Sequence, residues 1–152
     1  MEALDSGKAL TMNGTSYVLV EFLPNAGEMY IENAMRRLQY AGYLPIIAHV
    51  ERYERLQNRK ALQELVDMGV YLQVNASTVL GKHGFLLKHR VLRWMKEGLI
   101  HFVGSDAHNS KTRRPEMKEC AQYLDKKLGV TKTRQILEKN PMRMLEGEKL
   151  NG

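Results

Sequence analysis

The chain has 152 residues, 43% of them apolar, with 23 basic against 17 acidic side chains and a formal net charge of +6. That length supports one sizeable core and is short for two ordinary domains, and a lone cysteine, Cys120, excludes an internal disulfide. No run of about 18 apolar residues marks a membrane span, and the opening MEALDSGKAL lacks the basic-then-apolar order of a secretory leader, so a soluble cytoplasmic protein is expected.

In chain order, four short apolar runs read as strands: residues 17–22 (YVLVEF), 44–48 (LPIIA), 70–74 (VYLQV) and 100–104 (IHFVG). Segments of helical period lie between and after them, at residues 29–40, 59–68, 85–97 and 116–128. Gly42, Gly69 and Gly98 each fall just beyond a helix and before a strand, where a left-handed cap is expected. A last short helix is marked by Asn140 as N-cap, Pro141 at its first position and Gly147 past its end. Alternation of strand and helix predicts an α/β fold with parallel strands joined by crossover helices.

The net positive charge raises nucleic acid as a partner. Pairs such as Arg36-Arg37 and Lys126-Lys127, however, sit in helical segments without interleaved aromatics, and they are expected to be solvated faces. Trp94 and the methionines Met29, Met35, Met68 and Met95 have helical placement and are expected in the core. A cysteine phosphatase loop would need arginine six positions after Cys120, where Lys126 stands. Cys120 instead belongs to an apolar stripe with Met117, Ala121, Leu124 and Leu128.

Parallel α/β folds build their sites where strands end. The first strand ends at Glu21, the second runs into His49, the third into Asn75, and the fourth into Asp106 and His108. Each residue alone has an ordinary explanation as a solvated strand end or turn residue. Together they bring carboxylates and imidazoles to one end of one sheet, and these are ligands suited to manganese, zinc or iron.

The segments LVEF (19–22), AHVERY (48–53), VNASTVLGKHG (74–84) and FVGSDAHN (102–109) carry a resemblance. In this order they resemble successive blocks of the metal-dependent tyrosine phosphatases of the polymerase-and-histidinol-phosphatase (PHP) superfamily that accompany bacterial capsule and exopolysaccharide synthesis. The resemblance implies a portion of a distorted (β/α)7 barrel, with about four parallel strands, and a cluster of divalent metals, manganese first, with zinc or iron as alternatives. The implied reaction is hydrolysis of phosphotyrosine on a protein, an autophosphorylating tyrosine kinase of polysaccharide export. By the same resemblance Glu21, His49, Asp106 and His108 are metal ligands, and Arg52 and Arg113 hold substrate phosphate, with Arg114 as the alternative to Arg113.

Val50 stands where many relatives have proline, which leaves the ligands in place. The His-x-His motif with which that family begins is not found in the chain, and His83, His89 and His101 are expected to be structural or surface residues. A complete (β/α) barrel takes about 250 residues, so residues 1–152 are expected to be a single incomplete PHP domain that self-associates and is weakly active alone. Two other readings stand beside the phosphatase: another PHP-type phosphoesterase, such as a histidinol phosphatase or nuclease, and a noncatalytic binding or regulatory fragment.

Overall fold

A computed structural model describes residues 10–105 and 116–150. Its four strands are β1 (Tyr17–Val20), β2 (Leu44–Ile47), β3 (Tyr71–Asn75) and β4 (Phe102–Gly104). All are parallel and lie side by side in sequence order. The doubly wound alternative reverses its strand order at a switch point, whereas consecutive parallel order with helical crossovers is the barrel pattern.

The helices are α1 (Glu28–Tyr40), α2 (Arg59–Asp67), α3 (Ala76–Val79), α4 (Phe85–Lys96), α5 (Met117–Leu128), α6 (Val130–Arg134) and α7 (Asn140–Glu146). Three of the crossovers stop in the same way. Gly42, Gly69 and Gly98 have φ of +86°, +81° and +83°, a conformation that glycine adopts without a Cβ penalty. The following amides of Tyr43, Val70 and Leu99 reach back to the carbonyls of Leu38, Leu65 and Trp94 at 3.0 Å each, the long bond of a Schellman motif. Each helix thus ends a few residues before its strand begins, α1 at Tyr40 ahead of Leu44, α2 at Asp67 ahead of Tyr71 and α4 at Lys96 ahead of Phe102.

Pairing in register sorts the strand residues into two faces. Val18, Val20, Ile47, Leu72 and Val74 alternate with Tyr17, Leu19, Ile46, Tyr71 and Gln73. The first face carries the main core, in which Ile47, Leu72 and Val74 pack with Met35, Leu62, Leu65, Trp94, Met95 and Cys120 from the helices. The second face has a smaller cluster of Tyr17, Ile46, Phe102 and Met144. Arg36, Arg37, Lys126 and Lys127 are exposed, as expected. Met29 is not core: it is exposed, because α1 buries the stripe through Ile31 and Met35 and residue 29 falls off it.

The C-terminal arm departs from expectation. Asn140 is not an N-cap; its φ and ψ of −62° and −47° are helical, and α6 runs into α7 through a π turn at Gln135–Lys139. Pro141 accounts for the wide turn, since it has no amide to offer the carbonyl four residues back and its ring crowds that carbonyl. Asn140 is buried and used for tertiary contact, accepting from Gln135 Nε2 at 2.6 Å and donating from Nδ2 to the His101 carbonyl at 2.8 Å. The arm thereby reaches from the helix-side core, through Ile136, to the opposite face, through Met144. Gly147 ends it in the left-handed conformation, φ +76°.

Candidate active site

The carboxyl ends of the strands converge on a pocket of about 340 Å³. Its apolar wall is built by Leu19, Ile46, Phe102, Pro141 and Met144, and its polar end by Glu21, His49, Gln73 and Asn75. Glu21 follows β1 directly, and its Oε1 lies 2.9 Å from His49 Nε2. The imidazole is buried while the carboxylate is 68% exposed, so the pair sits at the pocket's rim with its acidic side toward solvent.

His49 does not extend β2. The Ala48 amide still bonds the Val20 carbonyl at 2.9 Å, and the chain then turns through His49 at φ +35°, ψ +53° into a 3-10 turn over Val50–Arg52. A left-handed conformation at a residue with a Cβ is uncommon and marks functional sites. A specific contact fixes it: the His49 amide donates to Gln73 Oε1 at 2.7 Å. The Gln73 carboxamide is itself fixed, because Nε2 donates to the Val74 carbonyl at 2.8 Å and to Asn75 Oδ1 at 3.0 Å. It fits only because the adjacent strand carries glycine, since a Cβ at Gly104 would stand 2.5 Å from Gln73 Nε2.

Behind the imidazole, Tyr53 lies with its ring centroid 5.7 Å from that of His49. Its hydroxyl accepts from the Phe22 amide at 2.9 Å, tying the β1 exit to the β2 exit. Burial raises the Tyr53 pKa. Glu51 is buried as well, and Oε1 accepts from the Asn75 amide at 3.0 Å and from Thr78 Oγ1 at 2.9 Å. Burial pushes its carboxyl up from the ordinary range, opposed by those bonds and by His49. Glu51 Oε2 and His49 Nδ1 are both buried without a hydrogen-bond partner among the described residues.

The residues expected at the site fall into two groups. Glu21 and His49 are brought into contact, and Arg52 is exposed at the end of the turn that His49 opens, its amide donating to the His49 carbonyl at 2.9 Å. Asp106, His108, Arg113 and Arg114 lie outside the described residues; β4, which leads to them, ends beside β3 with Asn75 opposite Gly104. Gln73 and Glu51 were not anticipated. A glutamine in an otherwise apolar run of strand three is the signal that could have found the first, and nothing in the sequence separates Glu51 from a solvated glutamate.

The other titratable candidates belong elsewhere. His101, just before β4, accepts the Leu72 amide on Nδ1 at 3.1 Å, and burial lowers its pKa to about 4. His83 and His89 are exposed, and Cys120 is buried with its thiol pushed up to about 12 by desolvation, the opposite of a reactive thiolate. Glu28, Glu32 and Glu64 bring carboxylate oxygens within 4.8 Å of one another on α1 and α2, away from any imidazole of the strand-end cluster. The strand-end donor set fits a first-row divalent cation better. A borderline imidazole nitrogen and a hard carboxylate oxygen stand side by side at a pocket mouth, and the second imidazole nitrogen has no partner among the described residues.

Comparison with known proteins places the chain in a family. The profile of the family described as capsular polysaccharide synthesis, CpsB/CapC, matches residues 1–146. The tyrosine-protein phosphatase CpsB of Streptococcus pneumoniae is 32% identical over 151 residues, covering 95% of this chain and 62% of that protein. The tyrosine-protein phosphatase YwqE of Bacillus subtilis is 40% identical over 121 residues, 79% of this chain and 48% of that protein. A solved structure described as one of YwqE from B. subtilis and CpsB from S. pneumoniae, unique metal-dependent tyrosine phosphatases, superposes with a TM-score of 0.88 at 34% identity. That match covers 99% of this chain and 61% of the solved one. With the identity spread along nearly its whole length, the chain belongs to the CpsB/CapC family of capsular polysaccharide synthesis.

Proposed function

We propose that the chain acts in metal-dependent hydrolysis of phosphotyrosine on proteins, with an autophosphorylating tyrosine kinase of polysaccharide export as substrate and the cytoplasm as its compartment. The observation that carries the reading is the 2.9 Å contact between Glu21 and His49 at the carboxyl ends of neighbouring parallel strands. The tyrosine phosphatases CpsB and YwqE among the relatives support the substrate class.

In this reading Glu21 and His49 hold a divalent metal, manganese for preference, together with Asp106 and His108. When bound, the ion supplies an activated water near neutral pH and neutralises charge on phosphoryl oxygens. The protein's own part is positional. Gln73 fixes the backbone of His49, Tyr53 backs its ring, and the apolar wall of Leu19, Ile46 and Phe102 limits water around the polar end. Arg52 and Arg113 present guanidinium forks to the phosphate, each charge-assisted bond contributing about 1.5 to 3 kcal/mol. Their charge acts on substrate and transition state, so Arg113→Ala lowers turnover without lowering metal content.

The chain spans about 62% of the length of the S. pneumoniae relative. We therefore propose that residues 1–152 form one portion of a barrel whose remaining strands complete the ligand set. The test measures phosphate release from a phosphotyrosine peptide, a phosphoserine peptide and histidinol phosphate, with manganese or with chelator. It is run on the chain alone and on the chain joined to the remaining portion of that relative. Manganese-dependent release from the phosphotyrosine peptide, feeble in the first case and strong in the second, is the expected result. Equal turnover in both would show that the ligands proposed for the chemistry are wrongly chosen, and preference for histidinol phosphate would place the chain with a different hydrolase.

A further inference from the structure

A second concavity, of about 780 Å³, lies between α4 and α5, with no residue in common with the strand-end pocket. Lys88, Arg90, Arg93 and Lys96 of α4 and Lys127 of α5 line it, and among the described residues no carboxylate does. Against a net charge of +6 for the whole chain, this clustering of cations in one groove is a strong local asymmetry. The neighbouring acid Glu97 is engaged elsewhere, bound to Arg59 at 3.0 Å.

The groove is not only basic. Phe85 and Leu86 stand at its α4 end with 72% and 80% of their surface exposed, and the Phe85 ring lies 4.1 Å from that of His89. Tyr123 contributes its ring from α5, with Lys88 Nζ 4.0 Å and Lys127 Nζ 5.9 Å from its centroid. Aromatic surface beneath cations binds segments that mix carboxylates with apolar side chains. Helix α4 has 12 residues, about 18 Å of length, the span of five or six extended residues.

We propose that the α4–α5 groove docks an acidic segment of a partner protein, one that alternates Asp or Glu with Leu or Phe. The concave shape and the recessed positions of Lys88 and Arg90, both partly buried, favour a narrow chain over a flat lipid surface, where cations stand at the rim and apolar tips project alone. Arg93, Lys96 and Lys127 are exposed and provide long-range attraction; Phe85 and Leu86 provide the apolar contact that slows release. The docking does not depend on the phosphatase chemistry, because the groove and the strand-end pocket are separate.

The test is fluorescence anisotropy with a labelled 14-residue peptide alternating Glu with Leu and Phe. The same peptide with Lys for Glu, a DNA duplex, and phosphatidylglycerol vesicles serve as competing probes, and sedimentation reports self-association. The expected result is saturable binding of the Glu peptide that weakens with added salt. R93E/K96E/K127E should weaken it by about tenfold or more, F85S/L86S more modestly, both with far-UV circular dichroism unchanged. All five positions are exposed, so loss of fold does not obscure the readout. Glu-peptide binding that the triple charge reversal leaves intact would overturn the proposal. So would failure of the Glu peptide to bind, with the duplex or the vesicles bound instead, or concentration-dependent self-association that the triple reversal abolishes without any peptide binding.

Discussion

The two faces of the sheet are built from the same four strands and have opposite characters. Against the helices, Ile47, Leu72 and Val74 meet Trp94, Met95 and Leu65 in the larger of the two apolar clusters. On the other face the buried cluster is small, Leu19 is 48% exposed, and the carboxyl end of the face is given to Glu21, Gln73 and Asn75. Period-two alternation lets one strand serve both purposes. The larger apolar cluster lies on the helix side, and left-handed His49 and the buried Glu51 oxygen lie at the carboxyl ends of the strands.

The comparison breaks most sharply at Trp94. It is 2% exposed in the helix-side core, and Trp94→Ala should destabilise the chain by about 3 to 5 kcal/mol through lost transfer energy and the cavity left behind. Urea unfolding gives the value, and manganese affinity of the folded fraction should be unchanged. A loss below about 1 kcal/mol would mean that the two faces do not divide labour in this way.

Gly104→Ala tests the inner face where it is tightest. The new Cβ would meet Gln73 Nε2 at 2.5 Å, and the carboxamide holds the His49 amide at 2.7 Å, so it cannot move without releasing that bond. We expect a stability loss of roughly 2 to 3 kcal/mol together with weakened manganese binding by calorimetry. Gln73→Ala should reproduce the metal effect without the clash. If Gln73→Ala binds manganese like the parent, Gln73 does not position His49.

The helix-side architecture was legible in the sequence, while much of the inner face was not. Apolar runs and the glycines at 42, 69 and 98 placed strands and helices to within a few residues, because each glycine answers a local need for positive φ. Asn140-Pro141 misled for a related reason. The same dipeptide starts a free helix or widens a continuous one, and tertiary contact with His101 decides between them. The position of Glu21 and His49 at neighbouring strand ends was legible because a strand end announces itself, whereas Glu51 has local neighbours typical of an exposed turn. Its burial comes from Asn75 and Thr78, more than twenty residues away in sequence.

His101 lies between the faces, its backbone amide bonded to the Leu72 carbonyl and its Nδ1 accepting the Leu72 amide. Burial lowers its pKa from 6.5 to about 4, so the unfolded chain binds the proton first as pH falls. Stability from this group is therefore full above about pH 6.5 and declines toward pH 4, by up to about 2 kcal/mol at pH 5. Urea midpoints at pH 7 and pH 5 measure it, and His101→Gln should flatten the difference. A midpoint that rises on acidification in the parent, with the slope unchanged in His101→Gln, would remove His101 as the cause.

The smallest expected change in stability accompanies a large expected change in chemistry, at Glu21. Its side chain is 68% exposed, and a contact so open to solvent contributes about 0 to 1 kcal/mol. Glu21→Gln preserves shape and one acceptor oxygen while removing the negative charge, so the unfolding midpoint should move by less than about 0.5 kcal/mol equivalent. A divalent cation responds differently, because a neutral carboxamide is a much poorer ligand than a carboxylate and binding free energy falls with the charge of the donor set. Manganese affinity should drop by about tenfold or more, and the Asp106→Ala/His108→Ala double variant should lower it further by removing two donors at once. Elemental analysis after dialysis and calorimetric titration both read the effect. If Glu21→Gln retains manganese as tightly as the parent while losing stability, the contact with His49 is a structural ion pair, and the polar end of the inner face serves packing after all.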